Sequence, residues 1–305
     1  MDWSRNLVVV VSPDSFIRGL GRRIVDDVLS AGCEEVAARV VQPGSLLLDV
    51  IYDDLALRRI HFGTYRYRAI DALYRLGPSL AILLSGEPDI HRRFTEMKGS
   101  GPLERASASS LRLRHRAVNT ILGLLHASDS PEEAELDWRT FFVREWGNLG
   151  RGELPESHTQ LATPGARTLA SLLDRPPGTG ENRGFLQVRD QFRRVLIAHL
   201  WELLPGSEAA SLAGDLAGTP DTPLDDELVA RVAKSLDGSA DLLLRRALGS
   251  TFTPEDQPLD TDRLWTALEG YGIRVDPWSR AVLSTSQYFP PVAYPGPAPG
   301  GGTRG

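Results

Sequence analysis

A chain of 305 residues and 33.4 kDa has room for two domains, and 41% hydrophobic with 24% charged residues are globular values that exclude wholesale disorder. The net charge of -6 argues against a nucleic-acid partner, and the longest apolar runs, such as Leu7 to Val11, fall far short of the ~20 residues of a membrane helix. A single cysteine, Cys33, excludes an internal disulfide framework, and Met1-Asp2-Trp3-Ser4-Arg5 lacks the apolar core of a secretory signal, so a soluble, cytoplasmic protein is expected.

Leu7 to Val11 is an apolar, β-branched run of strand length, stopped by Ser12-Pro13-Asp14. Arg18 to Ala31 carries Leu20, Ile24, Val28 and Leu29 at helical spacing, with Gly32 placed as a C-cap. Glu35 to Val41 reads as a second strand, Leu46 to Leu57 and Tyr67 to Leu76 as helices, and Leu80 to Leu84 as a third strand. A short helix after Pro88 runs to about Met97, and a loop rich in Gly, Ser and Ala follows. Ile121 to Leu125 reads as a strand leading to His126. Ser130-Pro131-Glu132-Glu133 is a helix start, with Ser as N-cap, Pro at the first position and acids in the first turn. The order fits an α+β, four-stranded sheet covered on one face.

After Trp146 the texture changes. Residues 148–183 are loop-rich and read as a linker with one short helix. Residues 184–289 show helical faces only, such as Phe185, Val188, Phe192 and Leu196, and predict a separable helical domain with room for a protein partner. Residues 290–305 are Pro/Gly-rich and predict a disordered tail. Charge is uneven along the first 147 residues. Arg58 to Arg116 holds eleven Arg and Lys98 against five acids, a balance of +7, whereas Asp129 to Asp137 holds five acids and no base. A positive middle in an acidic protein suits a small anion. Of the 34 basic residues, only Lys98 and Lys234 are lysines.

Two motifs stand out in the first domain. Ser12-Pro13-Asp14-Ser15-Phe16-Ile17-Arg18-Gly19-Leu20 links the first strand to the first helix, and His126-Ala127-Ser128-Asp129-Ser130 precedes the capped helix. A neutral imidazole accepts a phosphoryl group at one ring nitrogen when the other donates its proton to a fixed acceptor. Asp137, eleven residues on and inside the helix that follows, is in range to be that acceptor. Together with Tyr52 followed by Asp54-Leu55, and Gly77-Pro78 before a strand, these stretches make residues 5 to 145 resemble the nucleoside diphosphate kinases.

The resemblance implies a ferredoxin-like antiparallel four-stranded sheet with helices, a phosphorylated nucleophile at His126, Asp137 in place of the family's Glu, and Ser128 beside the imidazole or the phosphoryl oxygens. It places Ser12, Tyr52, Gly123, Arg92 or Arg93, and Arg112 with Arg114 as its alternative, around a nucleotide. Mg²⁺ with ATP or another nucleoside triphosphate, a nucleotide or small-molecule phosphoryl acceptor, and a homo-oligomer follow from it. Departures are equally specific. Ser12 stands where the family has a phosphate-contacting Lys, Gly123 where it has a nucleotide-binding Asn, and Ser15 where it has Gly. Two functions follow: an enzyme working through phosphohistidine, or a non-catalytic nucleotide-binding or scaffolding protein. The other five histidines show no metal-ligand spacing.

Overall fold

The computed structural model describes residues 1–42, 48, 69–99, 101–143, 166–176, 183–216, 222–236, 238, 241–292 and 294. Tyr52 and most of the expected Leu46 to Leu57 helix lie outside them.

Four strands form one antiparallel sheet: β1 (Asn6–Val11), β2 (Glu34–Val41), β3 (Ser79–Ser85) and β4 (Leu125–Ala127), in the order β2-β3-β1-β4. β1 lies between β3 and β4, with Val8 opposite Leu83 and Val10 opposite His126. Among the described residues this half carries the helices α1 (Pro13–Ile17), α2 (Gly21–Leu29), α3 (Ala69–Tyr74), α4 (Ile90–Lys98), α5 (Leu111–Arg114) and α6 (Pro131–Phe141). This is the ferredoxin-like α+β architecture.

The sheet is covered on both faces, not one. Leu7, Val9 and Val11 pack with Leu80, Ile82 and Leu84 against Ile24 and Val28 of α2 and Phe94 of α4. Val8 and Val10 face the other way and pack with Leu83 against Trp138 and Phe141 of α6 and Phe142. The uninterrupted apolar run of β1 is the sequence consequence, since a strand buried on both faces does not alternate with polar residues.

Two expected boundaries move. The helix expected from Arg18 to Ala31 starts at Gly21 as α2, and a short helix, α1, precedes it, with Gly19 turning left-handed at φ 67° between the two. The last strand begins at Leu125 instead of Ile121. Asn119 Oδ1 accepts from the backbone N–H groups of Ile121 and Leu122, at 3.0 and 2.9 Å, and Leu124 has φ 73°, so the chain there turns before it can pair.

The second half is helical: α7 (Ala166–Leu173), α8 (Phe185–Leu200), α9 (Gly206–Leu216), α10 (Asp226–Ser235), α11 (Leu242–Gly249), α12 (Thr261–Gly270) and α13 (Pro277–Ser286). Asp225, Asp241, Asp260 and Asp276 each accept backbone N–H bonds at the starts of α10 to α13. The change of element type at residue 184 is not a break in packing. Ile70, Leu73, Val118, Ile121 and Leu122 of the first half share one apolar cluster with Phe192, Leu196, Trp278 and Val282. α7, in the expected linker, lays Leu169, Leu172 and Leu173 on the β1 cluster, and Asp174 pairs with Arg22 at 2.6 Å. Within the expected tail, Val292 N–H donates to the Val118 carbonyl at 2.8 Å and the Tyr294 hydroxyl to that of Ala117 at 2.9 Å. Composition weighs the prolines and glycines of such a segment and passes over single anchors of this kind.

Candidate functional site

β4 carries His126 opposite Val10, at the centre of the antiparallel β1–β4 pair. Its position is set from the β1–α1 corner. Leu124 is fully buried with a left-handed backbone. Its carbonyl accepts from Ser12 N–H at 3.0 Å and from Ser15 Oγ at 2.7 Å, and its N–H donates to Asp14 Oδ2 at 3.0 Å. A non-glycine residue in this region costs on the order of 1–3 kcal/mol, which these three bonds offset. Ser12-Pro13-Asp14-Ser15 therefore acts as a clamp two residues from the histidine. Asp14 is fully buried, and desolvation raises its carboxyl to about 6, against the opposing Leu124 hydrogen bond and Arg18 charge.

The start of α6 fixes the other side. Ser130 Oγ accepts from Glu133 N–H at 3.2 Å, and Glu133 Oε2 accepts from Asp129 N–H at 2.7 Å, one residue short of the usual reciprocal box. The helix then aims Asp137 back at the strand. Its Oδ2 lies 2.7 Å from His126 Nε2 and 2.8 Å from Ser128 Oγ. The Asp137 side chain is 3% exposed and that of His126 22%, so the acceptor is buried and the ring reaches the surface.

The arginines named from the sequence have other partners. Arg92 pairs with Asp89 and Glu96 along the exposed side of α4, at 2.9 and 3.1 Å. Arg93 donates to the Ala31 carbonyl at 2.7 Å, and Arg114 pairs with Asp27 of α2 at 2.8 Å. Arg112 is buried and sends Nε to the Gly123 carbonyl at 3.2 Å and its two terminal nitrogens to those of Gly99 and Leu125. Gly123 lies against this guanidinium: a Cβ there would sit 3.3 Å from Arg112 Nε and 3.0 Å from the Thr120 carbonyl. Ser12 is buried at the end of β1.

Three residues of α4 that motif reading passed over face the histidine segment. His91 places Nδ1 3.3 Å from the Ser128 carbonyl, and Thr95 Oγ1 donates to Asp129 at 2.8 Å. Lys98 Nζ donates to the Ala127 carbonyl at 2.7 Å and to Asp129 Oδ1 at 2.5 Å. Burial pushes the Lys98 ammonium below its ordinary value. Burial would raise Asp129, but the Lys98 charge and hydrogen bond hold it below the usual carboxylate range. Spacing does signal these three, since positions 91, 95 and 98 recur along one helical face. A cavity of about 780 Å³ lies elsewhere, between α3 and α12–α13, lined by Asp71, Arg75, Trp265, Glu269, Arg280 and Tyr288 among others. Among the described residues no helix is long and apolar enough to cross a membrane.

The family model described as nucleoside diphosphate kinase matches residues 5–146. A nucleoside diphosphate kinase of Listeria welshimeri is 31% identical over 134 residues, which are 44% of this chain and 86% of that protein. One from a Thermoanaerobacter species is 27% identical over 135 residues and 94% of its length. Among solved structures, the apo nucleoside diphosphate kinase of Encephalitozoon cuniculi is similar with a TM-score of 0.40 and 20% identity, over 51% of this chain and 96% of that one. With 31% identity spread over most of the length of the Listeria relative, the chain belongs to the nucleoside diphosphate kinase family.

Proposed function

We propose that the protein is a phosphotransferase that moves the terminal phosphoryl group of a nucleoside triphosphate through a phosphohistidine at His126 to a nucleotide or a specialised acceptor. The observation that supports it is the 2.7 Å contact of His126 Nε2 with the buried Asp137 carboxylate. An ionised carboxylate only accepts, so Nε2 carries the hydrogen and the lone pair resides on Nδ1. Attack by Nδ1 forms the P–N bond as the bond from the γ-phosphorus to the bridging oxygen breaks, and the electron pair leaves with the nucleoside diphosphate. The ring becomes cationic, and Asp137 opposes that charge through the bond already in place. An acceptor oxygen then reverses the sequence. Ser128, bonded to the same Asp137 oxygen, keeps the carboxylate turned toward the ring.

Mg²⁺ enters with the triphosphate as part of the substrate. Among the described residues no group of three or more His, Cys, Asp and Glu is arranged to hold a metal alone. Ser12, Gly123 and Tyr52 retain the nucleotide-contact positions in this reading. Arg92, Arg93, Arg112 and Arg114 would each exchange a present partner for phosphate.

A second reading, a nucleotide-binding scaffold without turnover, is favoured by Ser12, which brings no charge to the end of β1, and by the three carbonyls that occupy Arg112. Incubation with γ-labelled ATP separates the two. The enzyme acquires an alkali-stable, acid-labile label on His126, and His126→Ala loses it while remaining folded. Ser12→Lys raises the transfer at least tenfold, a gain of ~1.4 kcal/mol. Equal labelling of parent and His126→Ala overturns the nucleophile. Nucleotide binding with no label in any variant supports the scaffold.

A further inference from the structure

Four histidines lie among the described residues, and two of them hold a carboxylate. His91 places its ring nitrogens 3.3 and 2.9 Å from the Ser128 and Trp3 carbonyls, which leaves neither of them open. His199 lies against the ring of Tyr271, with 5.2 Å between centroids. His126 belongs to the site above. The fourth, His115, follows α5 and reaches Asp27 of α2, with Nε2 2.6 Å from Oδ2. This pair repeats the arrangement of His126 and Asp137 on a different pair of elements. An ionised carboxylate only accepts, so Nε2 carries the hydrogen and the lone pair resides on Nδ1. That nitrogen has no hydrogen-bond partner among the described residues. The His115 side chain is 14% exposed, so part of it meets solvent. Arg114, the preceding residue, places Nη2 2.8 Å from the same Asp27 oxygen. Its half-exposed guanidinium therefore lies beside the ring, and a fixed positive charge there favours an incoming phosphoryl dianion.

We propose that His115 is a second phosphoryl-accepting histidine, with Asp27 fixing its tautomer and Arg114 opposing the charge of the incoming group. Nδ1 attacks the phosphorus of a small phosphoryl donor, a phosphoramidate or an acyl phosphate. The P–N bond forms as the bond from phosphorus to the leaving group breaks, and the electron pair departs with that group. Phosphoramidate, whose nitrogen is already protonated, loses ammonia. The Nε2 hydrogen stays on the ring, and Asp27 opposes the positive charge that the ring gains. This site stands apart from His126 and does not rest on the phosphohistidine there.

The test incubates the parent, His126→Ala, His115→Ala and Asp27→Asn with phosphoramidate and maps the alkali-stable label by mass spectrometry. The parent is expected to carry label on both histidines, and His126→Ala to keep at least half of the parental label on His115. His115→Ala is expected to lose that label alone. Asp27→Asn is expected to slow labelling of His115 at least tenfold, with circular dichroism as the check on folding. Phosphorus NMR of labelled His126→Ala reads the ring nitrogen, a measurement that needs no change near Asp27. Phosphorus on Nδ1 is expected. An imidazole that reacts merely because it is exposed favours Nε2, the nitrogen farther from Cβ. Absence of label on His115 overturns the proposal. So does label on its Nε2, or a rate unchanged in Asp27→Asn, because Asp27 would then serve only to tie α2 to α5. Label on His115 without label on His126 counts against the proposed function and supports this inference. Label on His126 alone does the reverse.

Discussion

Asp14 shows how a buried residue at the β1–α1 corner ties the histidine site to stability. Its carboxylate accepts the Leu124 N–H bond, yet complete burial raises its folded pKa to about 6 from an ordinary value of 3.8. The folded state therefore binds this proton more tightly than the unfolded chain does. The associated stability is fully present below pH 3.8 and is lost as pH rises through about 6. The full span corresponds to about 3 kcal/mol at most. Asp14→Asn keeps an oxygen for Leu124 and removes the titration. Urea midpoints at pH 4.5 and pH 7.5 should differ less in the variant than in the parent. Equal differences would mean that Asp14 does not titrate in this range.

Between α4 and β4 the chain runs through α5 and a series of hydrogen-bonded turns before the short strand β4. Arg112 supplies what the strand lacks, since one guanidinium ties the carbonyls of Gly99, Gly123 and Leu125 together. Arg112→Met keeps most of the stem and removes all three donors, leaving three carbonyls short of a partner in a buried setting. A loss of about 3 kcal/mol in urea unfolding is expected, from the usual cost of unpaired buried polar groups. A loss under 1 kcal/mol would show that water replaces the clamp and that Arg112 is available to a ligand. α4 illustrates the same scale differently. One of its sides holds the Arg92 ion pairs, and the other presents His91, Thr95 and Lys98 to the histidine segment.

Across the whole molecule, the helical half holds the segment that delivers β4. Asn119 Nδ2 donates to Thr285 Oγ1 at 2.8 Å and lies 3.1 Å from Ser286 Oγ, both on α13. Arg18 donates to the Arg116 carbonyl at 3.0 Å while its guanidinium lies over Trp278. With the apolar cluster shared by Ile70, Val118, Phe192 and Val282, these contacts join the two halves through one core. The full chain is expected to unfold in urea as a single transition, followed by both circular dichroism and tryptophan fluorescence. A chain ending at residue 176 should expose the Ile70–Leu73 and Val118–Leu122 surface and bind a hydrophobic dye in the absence of denaturant. Two separate transitions, or a truncated chain that folds without dye binding, would restore independent domains.

By itself the sequence determined the elements whose causes are local. The apolar run Leu7 to Val11 reads as a strand, Ser130-Pro131 starts a helix, and the spacing from His126 to Asp137 brings a carboxylate to the imidazole, because each depends on residues within a few turns of one another. The family motifs were equally legible, being short and contiguous. Tertiary structure decided the rest. Which helix covers the second face of the sheet depends on where α6 packs, which the apolar run of β1 does not state. Long, flexible arginines choose partners from whatever lies within reach, so Arg92, Arg93 and Arg114 took carboxylates and a carbonyl that motif position could not reveal. Lys98 entered the sequence reading only as a count. It became part of the site because α4 packs beside β4, bringing together an ammonium and a carboxylate 31 residues apart.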